Sequence, residues 1–509
     1  MRQLRVGILD IVGIRVRGLW PRIINANLAG VMPQVVGVWC ERAGHRVHYS
    51  CFTGIGDPLA ELPADLDLLF IGAFSYAAEF AYALSALIRR RGVVTVLGGP
   101  HARCYPEDAA RFFDYVLGFT DQAVLDEVLR ECAPHRPIGR HLSAAGQPRE
   151  LAPLAERWKF VEGAIRKAPT FKGVGMVGSL GCPYTCDFCI DSTVEYRPLA
   201  FRQLGEDLRF LLGKLPRPVV GWHDPNFGVR FDECMDAIEE AVPPGRMRHV
   251  AECSLSVLTE PHLARLGRSG FVALLPGIES WFDAGNKSAT RLTGMGKVRQ
   301  VADRVNMALR YIPYVRANLL FGLDADRGPE PFELSKRFLD LVPGTLAAYT
   351  LLTAYGRATP LNLEHQRGGR VLPFPFQFLD GHQAMNVRPM HYAWPEFYDR
   401  VVDVGRHSCS RRATAHRFAA TRGAVRWVAL AEAVAWSGRT RYHASIRRLL
   451  DTDRSVRRFM DGETDILPEV YRARMKRQLG PLYELLPEGA LTHDHLAYLH
   501  GAGRPATPP

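Results

Sequence analysis

Three cysteines stand at CxxxCxxC spacing in the run Gly178-Ser179-Leu180-Gly181-Cys182-Pro183-Tyr184-Thr185-Cys186-Asp187-Phe188-Cys189, just after an apolar stretch that reads as a strand. Ligands this close together must come from one loop wrapped round one face of a compact group. Three thiolates hold a four-iron cluster by three corners and leave the fourth iron open to an exchangeable ligand, whereas an electron-transfer cluster usually takes four cysteines. Phe188, beside the last cysteine, suits a shielded cluster, because burial tunes its potential. The same residues suit a zinc site whose fourth ligand lies elsewhere. No nearby CxxC or HxxxH supplies that ligand. Three unrelated core cysteines are the remaining alternative.

The 509 residues suffice for two to four domains with a large core. A hydrophobic content of 47% and a charged content of 23% are those of an ordinary globular chain. No apolar run approaches the roughly 18–20 residues that span a bilayer. The N-terminus, Met1-Arg2-Gln3-Leu4-Arg5-Val6, lacks a signal-peptide core and reads as a first strand. The expectation is a cytoplasmic protein with no membrane partner. Outside the motif the cysteines are scattered singly, which is no disulfide framework. The net charge of +11 admits an acidic partner. Arginine is spread along the chain, however, and the dense cluster Arg89-Arg90-Arg91 reads as a helix end, so no nucleic-acid partner is expected.

Strand-like and helix-like segments alternate through residues 1–135, which predicts an α/β, doubly wound parallel sheet. Residues 136–165, rich in Pro, Arg and Ala, read as a linker. Alternation resumes over 166–365, where about six βα units predict a partial (β/α) barrel with its chemistry at the carboxyl ends of the strands. The cysteine loop follows the first of these strands. Residues 366–509 read as a mainly helical region expected to cap the barrel mouth over the substrate, with candidate helices Pro395–Val404, Arg411–Trp436, Arg441–Asp451 and Val470–Leu486 and a disordered tail from Gly501 to Pro509.

The cysteine run resembles that of the radical S-adenosylmethionine (SAM) enzymes. The resemblance implies that Cys182, Cys186 and Cys189 hold a 4Fe–4S cluster, that SAM chelates its free iron, and that reduction cleaves SAM to a 5′-deoxyadenosyl radical. The first domain resembles the cobalamin-binding domain that precedes many radical SAM cores, in Arg42-Ala43-Gly44-His45-Arg46-Val47, in Leu66-Asp67-Leu68-Leu69-Phe70-Ile71-Gly72 and in the turn Gly98-Gly99-Pro100-His101-Ala102. That turn is implied to lie near the corrin, where two glycines permit close backbone approach. The turn also reads as an ordinary tight turn, and His101 as a loop histidine with no role on cobalt. After the first strand, Asp10-Ile11-Val12-Gly13-Ile14-Arg15 lacks the histidine of cobalt-ligating domains, which implies cobalamin without a protein histidine ligand.

The strand ends of the barrel supply further candidates. Asp224 and Asn226, in Trp222-His223-Asp224-Pro225-Asn226-Phe227-Gly228, suit either the SAM amino group or loop positioning. Glu252 suits ribose hydroxyls or an ammonium. Glu279, in Pro276-Gly277-Ile278-Glu279-Ser280, resembles the family's GxE-S element beside the adenosyl group. Arg316 on the fifth strand resembles the cation that meets the SAM carboxylate. Each also reads as an ordinary strand-end or surface charge. Trp281, Tyr355, His407 and Arg411 fit packing and pocket roles equally. The implied reaction is methylation of an unactivated carbon of a small molecule, with one SAM cleaved to the radical, a second donating its methyl through cobalamin, and an external electron donor such as flavodoxin or ferredoxin. Radical rearrangement without methyl transfer, and a cluster–corrin sensor, are the rival readings.

Overall fold

The computed structural model describes residues 2–15, 29–132, 139–167, 172–282 and 291–493. Two six-stranded sheets, each parallel throughout, organise them. The first contains β1 (Arg5–Ile11), β2 (Arg46–Phe52), β3 (Leu68–Ala73), β4 (Val94–Gly98), β5 (Tyr115–Leu117) and β6 (Arg140–Leu142), in spatial order β2-β1-β3-β4-β5-β6. The order reverses at β1, so helices cover both faces and the sheet is doubly wound. Coverage on both sides explains the continuous apolar runs: Leu68, Leu69, Phe70 and Ile71 are all buried.

The stretch expected as a linker is structured where it is described. It supplies β6 and then the helix Leu154–Lys167, whose Leu154, Phe160, Val161 and Ile165 are buried. Its Arg157 is buried too, donating from Nη1 to the Gln34 side-chain oxygen at 2.8 Å and from Nε to the Ala152 carbonyl at 2.9 Å. Counted as surface charge, that arginine hides the helix's apolar face.

The second sheet begins with β7 (Gly173–Met176). The short strands β8 (Ser179–Leu180) and β9 (Arg197–Pro198) then pair antiparallel outside it. It continues through β10 (Val219–Phe227), β11 (Arg248–Ser254), β12 (Phe271–Glu279), β13 (Tyr314–Phe321) and β14 (Leu346–Leu351), laid side by side in chain order. Helices return the chain between neighbours, which gives the expected partial barrel. The stretch Gly173–Ser179, expected as one strand, breaks after Met176 because Ser179 leaves the sheet to pair with Pro198. β10 runs past its expected end at His223 to Phe227, with a register slip after Trp222.

The remainder is helical: Trp394–Ser408, Arg411–Ala420, Val425–Thr452, Arg454–Met460 and Glu469–Leu479. The helix expected over Arg411–Trp436 is interrupted where Thr421 turns extended and its Oγ1 donates to the Arg417 carbonyl at 2.8 Å. Beyond the break, one helix of 28 residues joins segments expected as two. The tail from Gly501 lies outside the described residues. Among the described residues no helix is long and apolar enough to cross a membrane.

Candidate cofactor site between two parallel sheets

The β8–β9 ladder closes the base of the cysteine loop. The Cys189 N–H donates to the Cys186 carbonyl at 2.9 Å, the Ser192 N–H to the Cys189 carbonyl at 3.2 Å, and the Asp191 N–H to Cys189 Sγ at 3.5 Å. Cys186 is buried, and Cys182 and Cys189 are half-buried. Among the described residues no group of three or more His, Cys, Asp or Glu is arranged to hold a single metal ion. The loop places three soft thiolates within eight residues of sequence, a donor type that suits iron–sulfur and zinc alike.

Asp224 fixes the entry to this loop. Its carboxylate accepts the Gly178 N–H at 3.0 Å and the Ser179 hydroxyl at 2.7 Å. Burial pushes its pKa up to about 6 against these two bonds. Of the two readings of Asp224, loop positioning is the one these contacts display, since both oxygens are engaged by the chain. Asn226 is buried, with its carbonyl oxygen unpartnered. At the far side of the loop, the Leu361 N–H donates to the Asp187 carbonyl at 3.1 Å.

The first domain meets this loop directly. Beyond β4, the turn through Gly98 leads into the short helix Pro100–Cys104. Arg103 on that helix donates from Nη2 to the Ile190 carbonyl at 3.1 Å and to Asp191 Oδ1 at 3.0 Å, one and two residues past Cys189. Tyr105 donates its hydroxyl to the Ala354 carbonyl at 3.0 Å, and Glu107 pairs with Arg357. The carboxyl edges of the two sheets therefore face each other with the cysteine loop between them. Sequence reading missed Arg103, which stands one residue beyond the turn singled out; no local pattern links it to a partner 88 residues away.

Within the turn, the expected roles separate. A Cβ placed on Gly98 would meet nothing within 4 Å, so its outer side is open. Gly99, at φ 91°, packs so closely that a Cβ would lie 3.0 Å from the Ala73 carbonyl oxygen; its glycine serves the neighbouring strand end. Pro100 starts the helix, where its missing N–H costs nothing. His101 is the correction: it is neither a loop residue nor open to a ligand. It is fully buried, with Nε2 at 2.6 Å from the Tyr82 hydroxyl and Nδ1 at 3.3 Å from Ser75 Oγ. Burial lowers its pKa to about 3, so the ring is neutral. Nearby, Phe74 is exposed and stacks on Tyr76 at 5.7 Å, leaving an aromatic surface at the end of β3.

Inside the barrel, register and alternation put Glu252, Leu275, Gly277 and Asn318 on the same side of the sheet. Glu252 is exposed although β11 is flanked by β10 and β12, so the concave face is open there. Glu279, the last residue of β12, has φ 65° and is the one non-glycine described in the left-handed region. Such a conformation costs on the order of 1–3 kcal/mol and persists only when its surroundings enforce it. They do: the Ser280 hydroxyl donates to Asp326 at 2.7 Å, Lys297 binds the Ser280 carbonyl, and Trp281, fully buried, donates to Ser335 Oγ at 2.8 Å. Arg316 is half-buried and paired within the chain through one nitrogen, while its Nε is buried without a hydrogen-bond partner. Its Nη1 reaches Glu432 at 3.2 Å, and Tyr314 donates to the same carboxylate. Glu432 comes from the helix Val425–Thr452, part of the C-terminal region expected to cap the barrel; the sequence did not single out Glu432 itself. Of the remaining candidates, His407 pairs with Asp340 at 2.9 Å and Arg411 is exposed.

No protein-family model matches the chain. The structure is similar to that of TsrM from Kitasatospora setae, a radical S-adenosylmethionine methyltransferase solved with cobalamin and a 4Fe–4S cluster bound: the TM-score is 0.55 at 14% identity, over 89% of this chain and 100% of that one. A second TsrM structure, with tryptophan substrate and the SAM analogue aza-SAM bound, matches at a TM-score of 0.55 and 15% identity, over 88% and 99%. This is the fold of a cobalamin-type radical SAM protein. Two curated relatives from Chlorobaculum tepidum are also similar. Bacteriochlorophyllide d C-8(2)-methyltransferase is 25% identical over 42% of this chain and 50% of its own length, and bacteriochlorophyllide d C-12(1)-methyltransferase is 21% identical over 59% and 66%. The matched stretches thus span half to 66% of those relatives. In this chain the cysteine loop lies beside the helix Pro100–Cys104 of the first domain through Arg103, and three thiolates are present on it.

Proposed function

We propose that this chain is a cobalamin-dependent radical SAM methyltransferase that methylates an unactivated carbon of a small-molecule substrate. The observation that carries the reading is the Arg103 clasp, because it joins the glycine turn of the first domain to the cysteine loop of the barrel. Two cofactor-type loops held this close suit a methyl donor and a radical source that share one substrate. When bound, a 4Fe–4S cluster with SAM and a cobalamin supply one-electron SAM cleavage and methyl relay.

The chain's own residues hold and shield. Cys182, Cys186 and Cys189 are the cluster ligands in this reading, Asp224 fixes the loop that carries them, and Glu252 and Glu279 face ribose hydroxyls or an ammonium. The turn at Gly98 accommodates the corrin, with no protein histidine on cobalt. The C-terminal helices close the barrel mouth and exclude water, which protects a reactive intermediate. A flavodoxin- or ferredoxin-type protein supplies the electron. The two curated relatives and TsrM are methyltransferases by name, which supports transfer of a methyl group over rearrangement.

The test uses anaerobically reconstituted protein with SAM, reductant and cobalamin. Turnover yields both 5′-deoxyadenosine and S-adenosylhomocysteine, and the triple variant C182A/C186A/C189A loses bound iron and both products. A triple variant that keeps iron or cleaves SAM overturns the reading. So does a wild-type protein that makes 5′-deoxyadenosine and a modified substrate without S-adenosylhomocysteine.

A further inference from the structure

One guanidinium above the barrel, that of Arg439, makes no hydrogen bond or ion pair among the described residues. Arg439 lies on the helix Val425–Thr452, three residues after Trp436 and four before His443, hence on the same face as both. That face is turned to the barrel. The Trp436 ring lies 5.1 Å from that of Tyr349 of β14, tilted by 54°, and His443 Nε2 lies 2.8 Å from the His382 carbonyl. The segment before His382 is tied to the carboxyl end of β14, where the Leu351 N–H donates to the Gly381 carbonyl at 2.7 Å. Arg439 therefore sits on the side where the barrel's chemistry lies.

Its guanidinium carbon is 4.3 Å from the centroid of the Trp436 ring, yet among the described residues no hydrogen bond or ion pair engages it. The guanidinium is half-buried, so its donors keep some access to water and to a ligand from that side. The two nearest carboxylates are committed elsewhere. Glu432 receives Arg316 and Tyr314. Asp380 accepts the N–H groups of His382 and Gln383, both at 2.7 Å, and the Gln383 side chain at 3.1 Å. Tyr76, Tyr355, Tyr442 and Arg439 lie within reach of the Asp380 charge, and each keeps part of its surface accessible although barrel, first domain and C-terminal helices meet there. Three tyrosines and one guanidinium free of hydrogen bonds to described residues thus share a half-buried locality.

We propose that Arg439 anchors a carboxylate carried by a planar, ring-containing substrate. A guanidinium fork matches a carboxylate bidentately. The nearby Asp380 disfavours a doubly charged phosphate, and tyrosine and tryptophan faces favour a flat ring. Calling the bound molecule the substrate rests on the methyltransferase reading above, but the anchor is testable by binding alone.

The probes are indole-3-carboxylate and its neutral partner indole-3-carboxamide, titrated calorimetrically into anaerobic reconstituted wild-type, R439Q and R439K proteins. Wild type binds the carboxylate at least about tenfold tighter than the amide. R439Q loses that preference, and R439K keeps part of it, which shows that the fold is intact. SAM is titrated in parallel, because its own carboxylate is the other source of the same chemistry; its affinity stays within about twofold in R439Q. The proposal is overturned if wild type fails to distinguish the probes, if R439Q still distinguishes them, or if SAM binding falls as far as carboxylate binding. A protein that shows the preference but never cleaves SAM sinks the catalytic reading and spares the anchor.

Discussion

At the scale of single residues, Arg103 does what the cysteines cannot, which is to hold their loop against the other domain. Its ion pair with Asp191 is mostly screened from solvent, at 15% and 24% side-chain exposure, and it adds a charge-assisted bond to a carbonyl. Interactions of this kind are worth about 1.5–3 kcal/mol. R103A is expected to bleach faster: the visible absorbance of the reconstituted cluster decays several-fold sooner after exposure to chelator, with secondary structure unchanged. Decay at the wild-type rate would show that the loop needs no clasp. The cysteine loop was legible because its pattern is local, three residues within eight positions of one loop. Arg103 and Glu432 were not, since each meets its partner across more than 80 residues. His101 was legible as a motif and misplaced in space. A histidine after two glycines reads as a loop residue, and only the packing of Tyr82, Ser75 and Phe376 around it reveals a core position.

At the scale of elements, strand–helix alternation carried nearly all of both sheets, because a parallel strand covered on each face must be a short apolar run with a helix to return the chain. Alternation failed over residues 136–165, whose Pro, Arg and Ala content read as a linker although Arg157 and its apolar neighbours are buried, and where a helix ended on a threonine turn, as at Thr421. It also gave no hint of how the sheets dock. That contact depends on Gly356, whose φ of 47° and closeness to the Cys104 carbonyl leave no room for a Cβ. G356A must move the loop after β14 away from the helix Pro100–Cys104. The expected outcome is a protein that keeps its iron but retains several-fold less cobalamin through gel filtration, read from the corrin absorbance. Equal cobalamin retention would mean that the dock does not shape the corrin face.

At the scale of the whole molecule, buried carboxylates gather where the parts meet, and they set how the protein responds to pH. Asp10 accepts the Gly30 N–H at 2.6 Å and the Tyr49 hydroxyl at 3.0 Å, and burial still pushes its pKa up to about 6, as it does for Asp224. Glu79 goes further. It is buried on the first domain's helix Ala78–Arg89, close to the backbone of Phe376 and Gln377, with neither oxygen in a well-formed hydrogen bond. Burial, with the charge of Asp108 adding to it, raises its pKa to about 8 from an ordinary 4.5. Below pH 4.5 native and unfolded chains are both protonated at this site, and the carboxyl contributes its full stability. Between that pH and about 8 the unfolded chain releases a proton that the native chain keeps, so stability falls as pH rises, by about 1.4 kcal/mol per unit at most. E79Q abolishes this slope, because the amide is neutral in both states. The variant should therefore match wild type near pH 4 and gain on the order of a few kcal/mol over it by pH 8, read as an unfolding midpoint that no longer drops across the range. Parallel midpoint curves for the two proteins would mean that Glu79 is ionised in the native state and has a cationic partner at the junction of the domains.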